Sequence, residues 1–469
     1  MTKTPYRPDP AFLSLGDGFA DPVKAADFPK TVLRYRNDRA AAEVGLDHLS
    51  DEDWLRHFGR FAPLEGNLAE PLAQRYHGHQ FRVYNPDIGD GRGFLFAQMR
   101  DTQGRLLDLG TKGSGTTPYS RSGDGRLTLK GGVREIIATE MLAALGANTS
   151  RTFSLIETGE SLHRGDEPSP TRSSVLVRLT HGHIRIGTFQ RHAFFSDTER
   201  LERLVDYSLK TYAGIEPKGS ATERALELLA YATARTAENA ADLMAAGFVH
   251  GVLNSDNINI TGEIFDFGPW RFLPEMDLGF TAAYFDESGL YAYGRQPDAI
   301  HWDLYQLGGA LADIAPEEEL RSVLAAFPQA YMEALRTRLT RRLGLKPMEN
   351  SVADALFAAM SDFMVSEKCP YERFFFDWYG GPLSEARAKA SPIAARYDTE
   401  KFAPVRAALM TATPRRANVT GHEYFRGEPC TMLIEEVEAI WAEIAIHDDW
   451  QPLYDKIDRI RLMGEALGN

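Results

Sequence analysis

The residues with the most legible chemistry lie mid-chain, in His250-Gly251-Val252-Leu253-Asn254-Ser255-Asp256-Asn257 and, nine residues after Asn257, in Asp266-Phe267-Gly268. Asn257 and Asp266 offer hard oxygens, an amide carbonyl and a carboxylate, of the kind that hold Mg2+ or Mn2+ against phosphate groups. Taken singly, Asp266 reads as a turn aspartate and Asn257 as a loop asparagine. Their joint spacing is what points to a metal. Ile258, Ile260, Ile264 and Phe265, divided by Thr261-Gly262-Glu263, predict a hairpin that presents Asn257 before it and Asp266 after it.

The same spacing follows the H-R-D-L-x-x-x-N and D-F-G pattern of protein kinases, in which the asparagine and the second aspartate hold metal on ATP. His250, Leu253 and Asn257 fall on matching positions. The kinase base aspartate is replaced by Val252, which cannot accept a proton. Upstream, Gly89-Asp90-Gly91-Arg92-Gly93 lets backbone amides approach a phosphate, although a bare G-x-G-x-G is also a common tight turn. Strands over residues 94–99 and 106–112 follow, and Lys112 ends the second. Gly131-Gly132 opens a helical pattern carrying Glu135 and Glu140, of which Glu135 is the better partner for Lys112.

Arg178 interrupts the apolar run Ser174-Val175-Leu176-Val177-Arg178-Leu179, so it needs a partner, structural or ligand. Arg185 follows closely. Two such forks suit polyphosphate, and structural ion pairs suit them equally. His77 and His79 lack a nearby third ligand, which argues against a metal there.

Composition narrows the setting. With 469 residues the chain needs two or more lobes, and 43% hydrophobic and 25% charged residues are ordinary for a globular protein. A net charge of -14 argues against binding nucleic acid or anionic membrane. Two cysteines, Cys369 and Cys430, do not make a disulfide framework. No segment reads as a membrane span, and the first residues lack the apolar core of a leader, so a cytoplasmic location is expected.

Pro8, Pro10, Pro22 and Pro29 break the start into turns, and Ser50 caps a helix start at Trp54, Leu55 and Phe58. Helical spacing covers residues 201–212, 222–246, 300–311, 317–343, 351–366 and 434–467. The aromatic run from Phe374 to Tyr379 reads as buried packing.

Together these stretches resemble the selenoprotein O family of pseudokinase-fold protein adenylyltransferases. The resemblance covers roughly residues 70–310. It rests on Tyr76-His77-Gly78-His79-Gln80-Phe81, the glycine loop, Lys112-Gly113-Ser114-Gly115-Thr116-Thr117-Pro118-Tyr119-Ser120-Arg121, Gly123-Asp124-Gly125-Arg126, Arg134-Glu135 and the two mid-chain motifs. It implies an α+β, protein-kinase-like two-lobed fold with N-terminal and C-terminal helical extensions. The divisions are 1–75 (extension), 76–188 (small lobe), 189–345 (large lobe) and 346–469 (extension). It implies that Gly89, Gly91, Arg92, Lys112, Asp124, Gly125, Arg178, Arg185 and Asp266 bind nucleotide, with Glu135 paired to Lys112. Asn257 and Asp266 would hold Mg2+ or Mn2+, and Asp256 would accept a proton. ATP would bind flipped relative to kinases, presenting its α-phosphate to protein substrates. His77 and Arg82 depart from the smaller residues of the family motif, and no cysteine- or selenocysteine-bearing tail is present for redox control.

The reaction implied is transfer of AMP, or UMP, to Ser, Thr or Tyr hydroxyls with release of pyrophosphate. Two alternatives stand beside it, a metal-dependent γ-phosphotransferase and an inactive kinase-like scaffold. Val252 speaks against the first, and the joint presence of Lys112, Glu135, Asn257 and Asp266 against the second.

Overall fold

Short apolar runs in the first part of the chain and helical spacing in the rest produce one large antiparallel sheet, buried on both faces, followed by a mass of helices. The computed structural model describes residues 4–165, 167–418 and 421–469, so the first three residues of the stretch read for a leader lie outside the described residues. The strands are β1 (Ala20–Pro22), β2 (Val32–Arg36), β3 (Leu72–Gln74), β4 (Gly78–Gln80), β5 (Val83–Asn85), β6 (Leu95–Arg100), β7 (Leu106–Lys112), β8 (Leu127–Thr128), β9 (Arg151–Leu162), β10 (Thr171–Thr180), β11 (Phe248–Val249) and β12 (Arg271–Phe272). The large sheet runs β1-β3-β6-β7-β10-β9-β2, with β8 on β10; β4–β5 and β11–β12 are separate ribbons.

The first nine α-helices are α1 (Asp38–Glu43), α2 (Asp51–Phe58), α3 (Leu129–Ala144), α4 (Ile186–Phe194), α5 (Thr198–Ser208), α6 (Ala221–Ala246), α7 (Gln296–Leu311), α8 (Glu317–Leu324) and α9 (Phe327–Arg342). Ser50 caps α2 by accepting from Asp53 N, as its position suggests. One face of the sheet buries Phe96, Phe153 and Val177 against Trp54 and Phe58 of α2. Trp54 stacks on Phe153 at 4.8 Å and donates Nε1–H to Ser154 Oγ at 2.9 Å, so its apolar body and its polar tip are both satisfied. The other face buries Leu95, Leu155 and Leu176 against α3. Helix α3 lies so close that a Cβ on Gly132 would sit 2.3 Å from Leu155 Cδ1, which explains a glycine pair inside a helix capped earlier, at Thr128.

Three expectations change. The N-terminal extension is not helical throughout, because residues 20–22, 32–36 and 72–74 are strands of the main sheet. The helix expected over 317–343 is two helices, because Pro328 has no N–H for an uninterrupted ladder and instead occupies the first turn of α9. The flanks of the Thr261-Gly262-Glu263 turn do not form a ladder with each other. Asn259 bridges to Arg185 and Ile264 to Thr149, so the segment is tied to two other parts of the chain. The aromatic run from Phe374 to Tyr379 is buried, and Cys369 and Cys430 are buried and free. Among the described residues no helix is long and apolar enough to cross a membrane.

The helical part is keyed by buried charge. Asp242 of α6 is buried; its carboxylate accepts from Asn148 N at 3.0 Å and from Arg338 of α9. Removing one partner of a buried pair leaves an uncompensated charge, at a cost of about 3–5 kcal/mol. Arg338→Ala should therefore lower the free energy of unfolding by that amount, read as a lower urea midpoint at unchanged m-value; a loss below about 1 kcal/mol would show that Asp242 is protonated or rescued by water.

Candidate active site

Sheet register brings the first cations together. Lys112 lies opposite Leu176, and Gly110 opposite Arg178, so Lys112 and Arg178 project from the same face of β7 and β10. Opposite Val177 and Arg178 the neighbouring β9 carries an extra residue, Phe153, between Ser154 and Thr152. Gly110 has no side chain because the His183 ring occupies the space, 2.4 Å from where a Cβ would stand. Burial pushes the His183 imidazole down, and the neutral ring accepts from Arg178 Nε at 3.2 Å and donates to Asp108 at 3.1 Å. Asp108 and His183 thus orient Arg178. The signal for Asp108 was present in the chain, a lone carboxylate in Leu106-Leu107-Asp108-Leu109, and was missed.

Lys112 is buried; its Nζ donates to Glu135 of α3 and to Phe267 O at 3.1 Å, and stands 3.2 Å from Asp266 Oδ1. Glu140, the other glutamate on α3, is taken by Arg461 and Tyr35. Arg185, at the start of α4, donates to Asp256 O at 2.9 Å and Asp266 Oδ2 at 3.3 Å, and reaches Asp90 Oδ1 at 3.4 Å. Its guanidinium lies 4.4 Å from the Tyr76 ring and 4.9 Å from Phe265, whose ring also carries Arg178 at 5.1 Å. Arg178 itself reaches Asp266 Oδ1 at 3.3 Å. Burial would raise the Asp266 carboxyl, but Lys112, Arg178, Arg185 and Arg92 outweigh it and hold the group well below its usual range.

These groups form one end of a cleft of about 640 Å³. The glycine loop forms its rim. A Cβ on Gly89 would meet the Tyr119 ring at 2.5 Å, and one on Gly93 would meet Thr111 O at 2.1 Å, so backbone lines the opening. Tyr119 is held by Asp21 of β1, and Thr117 Oγ1 donates to Asp90 O at 2.6 Å. Gly125 has φ 67° and packs directly on Gly115. Asp124 lies at the rim, taking both arms of Arg164 at 2.8 and 3.0 Å. Gly89, Gly91, Arg92, Lys112, Asp124, Gly125, Arg178, Arg185, Asp256 and Asp266 all line this one cleft.

Asn257 does not line it. It ends a single 3-10 turn, Ser255–Asn257, and donates Nδ2–H to Val252 O at 3.1 Å, which leaves its amide oxygen for a ligand. The donor set, one amide oxygen and the Asp266 carboxylate, is hard and fits a divalent cation of the magnesium type. His77 and His79 are hydrogen-bonded to Tyr84 and Gln190, and no group of three or more His, Cys, Asp or Glu suited to a metal occurs among the described residues.

Asp256 faces the cleft from the helical side. Burial pushes its carboxyl up to about 6, with Arg185 opposing and Asp266 adding, and its Oδ1 is buried without a hydrogen-bond partner. Near it lies Asp303 of α7, 1% exposed, with neither oxygen hydrogen-bonded. Burial, then the Asp256 charge, raise the Asp303 carboxyl well above its usual value, against Arg82.

The chain is similar to protein nucleotidyltransferases along nearly its whole length. Protein nucleotidyltransferase YdiU of Gloeobacter violaceus is 44% identical over 97% of this chain and 94% of its own. That of Synechococcus elongatus is 42% identical over 99% and 96%, and that of Trichodesmium erythraeum 42% over 96% and 98%. The family model described as Protein adenylyltransferase SelO matches residues 3–461. The chain belongs to the SelO family of protein adenylyltransferases.

Asp303 generates a pH prediction. Its folded value is raised, so the native state keeps the proton that the unfolded chain gives up near pH 3.9, and this contribution to stability is lost as pH rises through the folded value. Between pH 5 and pH 8 the wild type should lose more thermal stability than Asp303→Asn. Parallel pH profiles would show Asp303 ionised and compensated throughout.

Proposed function

We propose that the enzyme transfers AMP, or UMP, from the nucleoside triphosphate to Ser, Thr or Tyr hydroxyls of client proteins. In this reading the β-rich residues 76–188 and the helical residues 189–345 are the two lobes of a kinase-like fold, with 1–75 and 346–469 as extensions. One observation carries it. The carboxylates lining the cleft are Asp90, Asp124, Asp256 and Asp266. Asp90 is held by Gln74 N and Arg185, Asp124 by Arg164, and Asp266 by three cations. Among the described residues Asp256 alone of the four makes no side-chain ion pair, and the kinase base position is Val252. Asp256 is therefore the group available to an incoming hydroxyl.

Lys112, Arg178, Arg185 and Arg92 bind and orient the phosphates, with the glycine loop and the Asp124-Gly125 turn closing over the nucleotide. Asn257 and Asp266 would hold Mg2+ or Mn2+, which when bound neutralises phosphate charge. The client hydroxyl oxygen bonds to the α-phosphorus, the bond from that phosphorus to the bridging oxygen breaks, and pyrophosphate leaves. The hydroxyl proton passes to Asp256. Buried cations preorganised around this charge supply most of the stabilisation, so a modest base suffices.

ATP labelled at the α-phosphate should leave label on protein, and ATP labelled at the γ-phosphate should leave none; the reverse would make the enzyme a kinase. General-base assistance is typically about 10²–10⁴-fold, so Asp256→Ala should lower turnover by that factor with ATP affinity within about twofold. A parallel collapse of ATP affinity would instead make Asp256 a metal ligand.

A further inference from the structure

The ribbon β4–β5 sends Gln80 to the cleft, and its far end is a turn built under strain beside the loop that carries Asp256. Its two-residue turn is Phe81-Arg82, with φ 50° and 64°. Tight turns of this left-handed kind are normally made from Asn and Gly, because a side chain there crowds the backbone carbonyl. Such strain persists where surroundings enforce it, and it concentrates at functional sites. Here the enforcement comes from the loop that carries Asp256. Phe81 N donates to Asn254 Oδ1 at 2.9 Å and His79 N to Ser255 Oγ at 2.7 Å. Gly78 backs onto Asp256 so closely that a Cβ would stand 2.9 Å from the aspartate Cβ.

The turn holds out apolar surface. The Phe81 ring packs on Phe285 at 5.8 Å and on Tyr291 at 5.1 Å, and Phe285 packs on Tyr284 at 5.1 Å. Tyr284 is 83% exposed, Phe285 48%, and Val83, just past the turn, 70%. Single exposed apolar residues need no explanation, but rings in mutual contact, tied through Phe81 to residues 254–256, form a connected surface. A protein acceptor must bring its hydroxyl to Asp256, so the residues flanking that hydroxyl meet this surface.

We propose that β4–β5 with Tyr284 and Phe285 is the docking surface for the client protein, and that it takes an extended segment with apolar side chains within a few residues of the modified hydroxyl. The inference rests on the reading of Asp256 as the acceptor-side group. It makes the enzyme select by local sequence as well as by a hydroxyl's accessibility.

The test uses the full chain and two fluorescein-labelled peptides, each with one threonine in a Gly-Gln background. One has leucines two and three residues to either side of the threonine. Binding is read by anisotropy and AMP transfer by α-labelled ATP. The leucine peptide should bind at least about tenfold tighter, the effect of one well-seated apolar anchor. Val83→Ser/Tyr284→Ser/Phe285→Ser should erase the difference with ATP affinity unchanged. Ile446→Ser, at a residue 72% exposed on Ile434–His447, should preserve it. Tyr284→Ser alone should weaken the preference in the same direction, should the triple variant not fold. Equal binding of the two peptides, or a preference that survives the substitutions, overturns the proposal. A wild-type dimer dissolved by the triple variant overturns it in favour of a second copy as the occupant. Anisotropy needs no chemistry, so leucine-dependent binding without α-label transfer would count against AMP transfer and leave the docking surface standing.

Discussion

Three buried cations around one carboxylate govern this molecule. Lys112, Arg178 and Arg185 all reach Asp266, in a cleft where each charge has given up most of its water. Burying an ionised group costs several kcal/mol unless it is paired and hydrogen-bonded. The surrounding fold is largely a set of devices that meet this cost. Glu135 reaches Lys112 from α3, Asp108 acts on Arg178 through His183, and Tyr76, Phe265 and Asp90 surround Arg185. Lys112, Arg178 and Arg185 are thereby matched by Asp266, Glu135 and Asp90, and Arg92 adds a fourth cation to the cleft.

The constraint explains why such distant parts of the chain converge. Two cations depend on the register of β7 and β10, and Arg185 on the start of α4, whose Gly187 would place a Cβ 2.0 Å from His77 O. Asp266 has a left-handed backbone, φ 63°, in a segment bridged to Arg185 and Thr149. The N-terminal residues take part as well: β1 pairs with β3, and its Asp21 holds the Tyr119 that covers Gly89. Truncating that part would remove a sheet edge and loosen the glycine loop together.

The helical side has a different task, to hold a short irregular loop still. Residues 250–257 carry little regular structure beyond one 3-10 turn. Their rigidity comes from side chains: His250 on Phe265 O, Asn254 between Phe81 N and the Tyr291 hydroxyl, and Ser255 between His79 N and Gln190. The loop that carries Asp256 and the ribbon β4–β5 are therefore one unit.

Local pattern was enough to read much of this. Strand β7 ends at Lys112 as the sequence suggests, α3 carries a glutamate to that lysine, and the charge at Arg178 inside an apolar strand signalled a buried partner. Those features depend on period and on the cost of burying charge, which a linear sequence displays. That Glu135 and not Glu140 meets Lys112 was legible from its place in the first turns of α3, whereas the hold of Arg461 on Glu140 was not. That the start of the chain enters the sheet, that the segment after Asn257 bridges to Thr149 and Arg185 and not to itself, and that Asp303 comes to lie near Asp256 are likewise decisions of tertiary structure. Each is a contact between residues with no fixed separation along the chain, and only packing selects among the partners that charge and periodicity leave open.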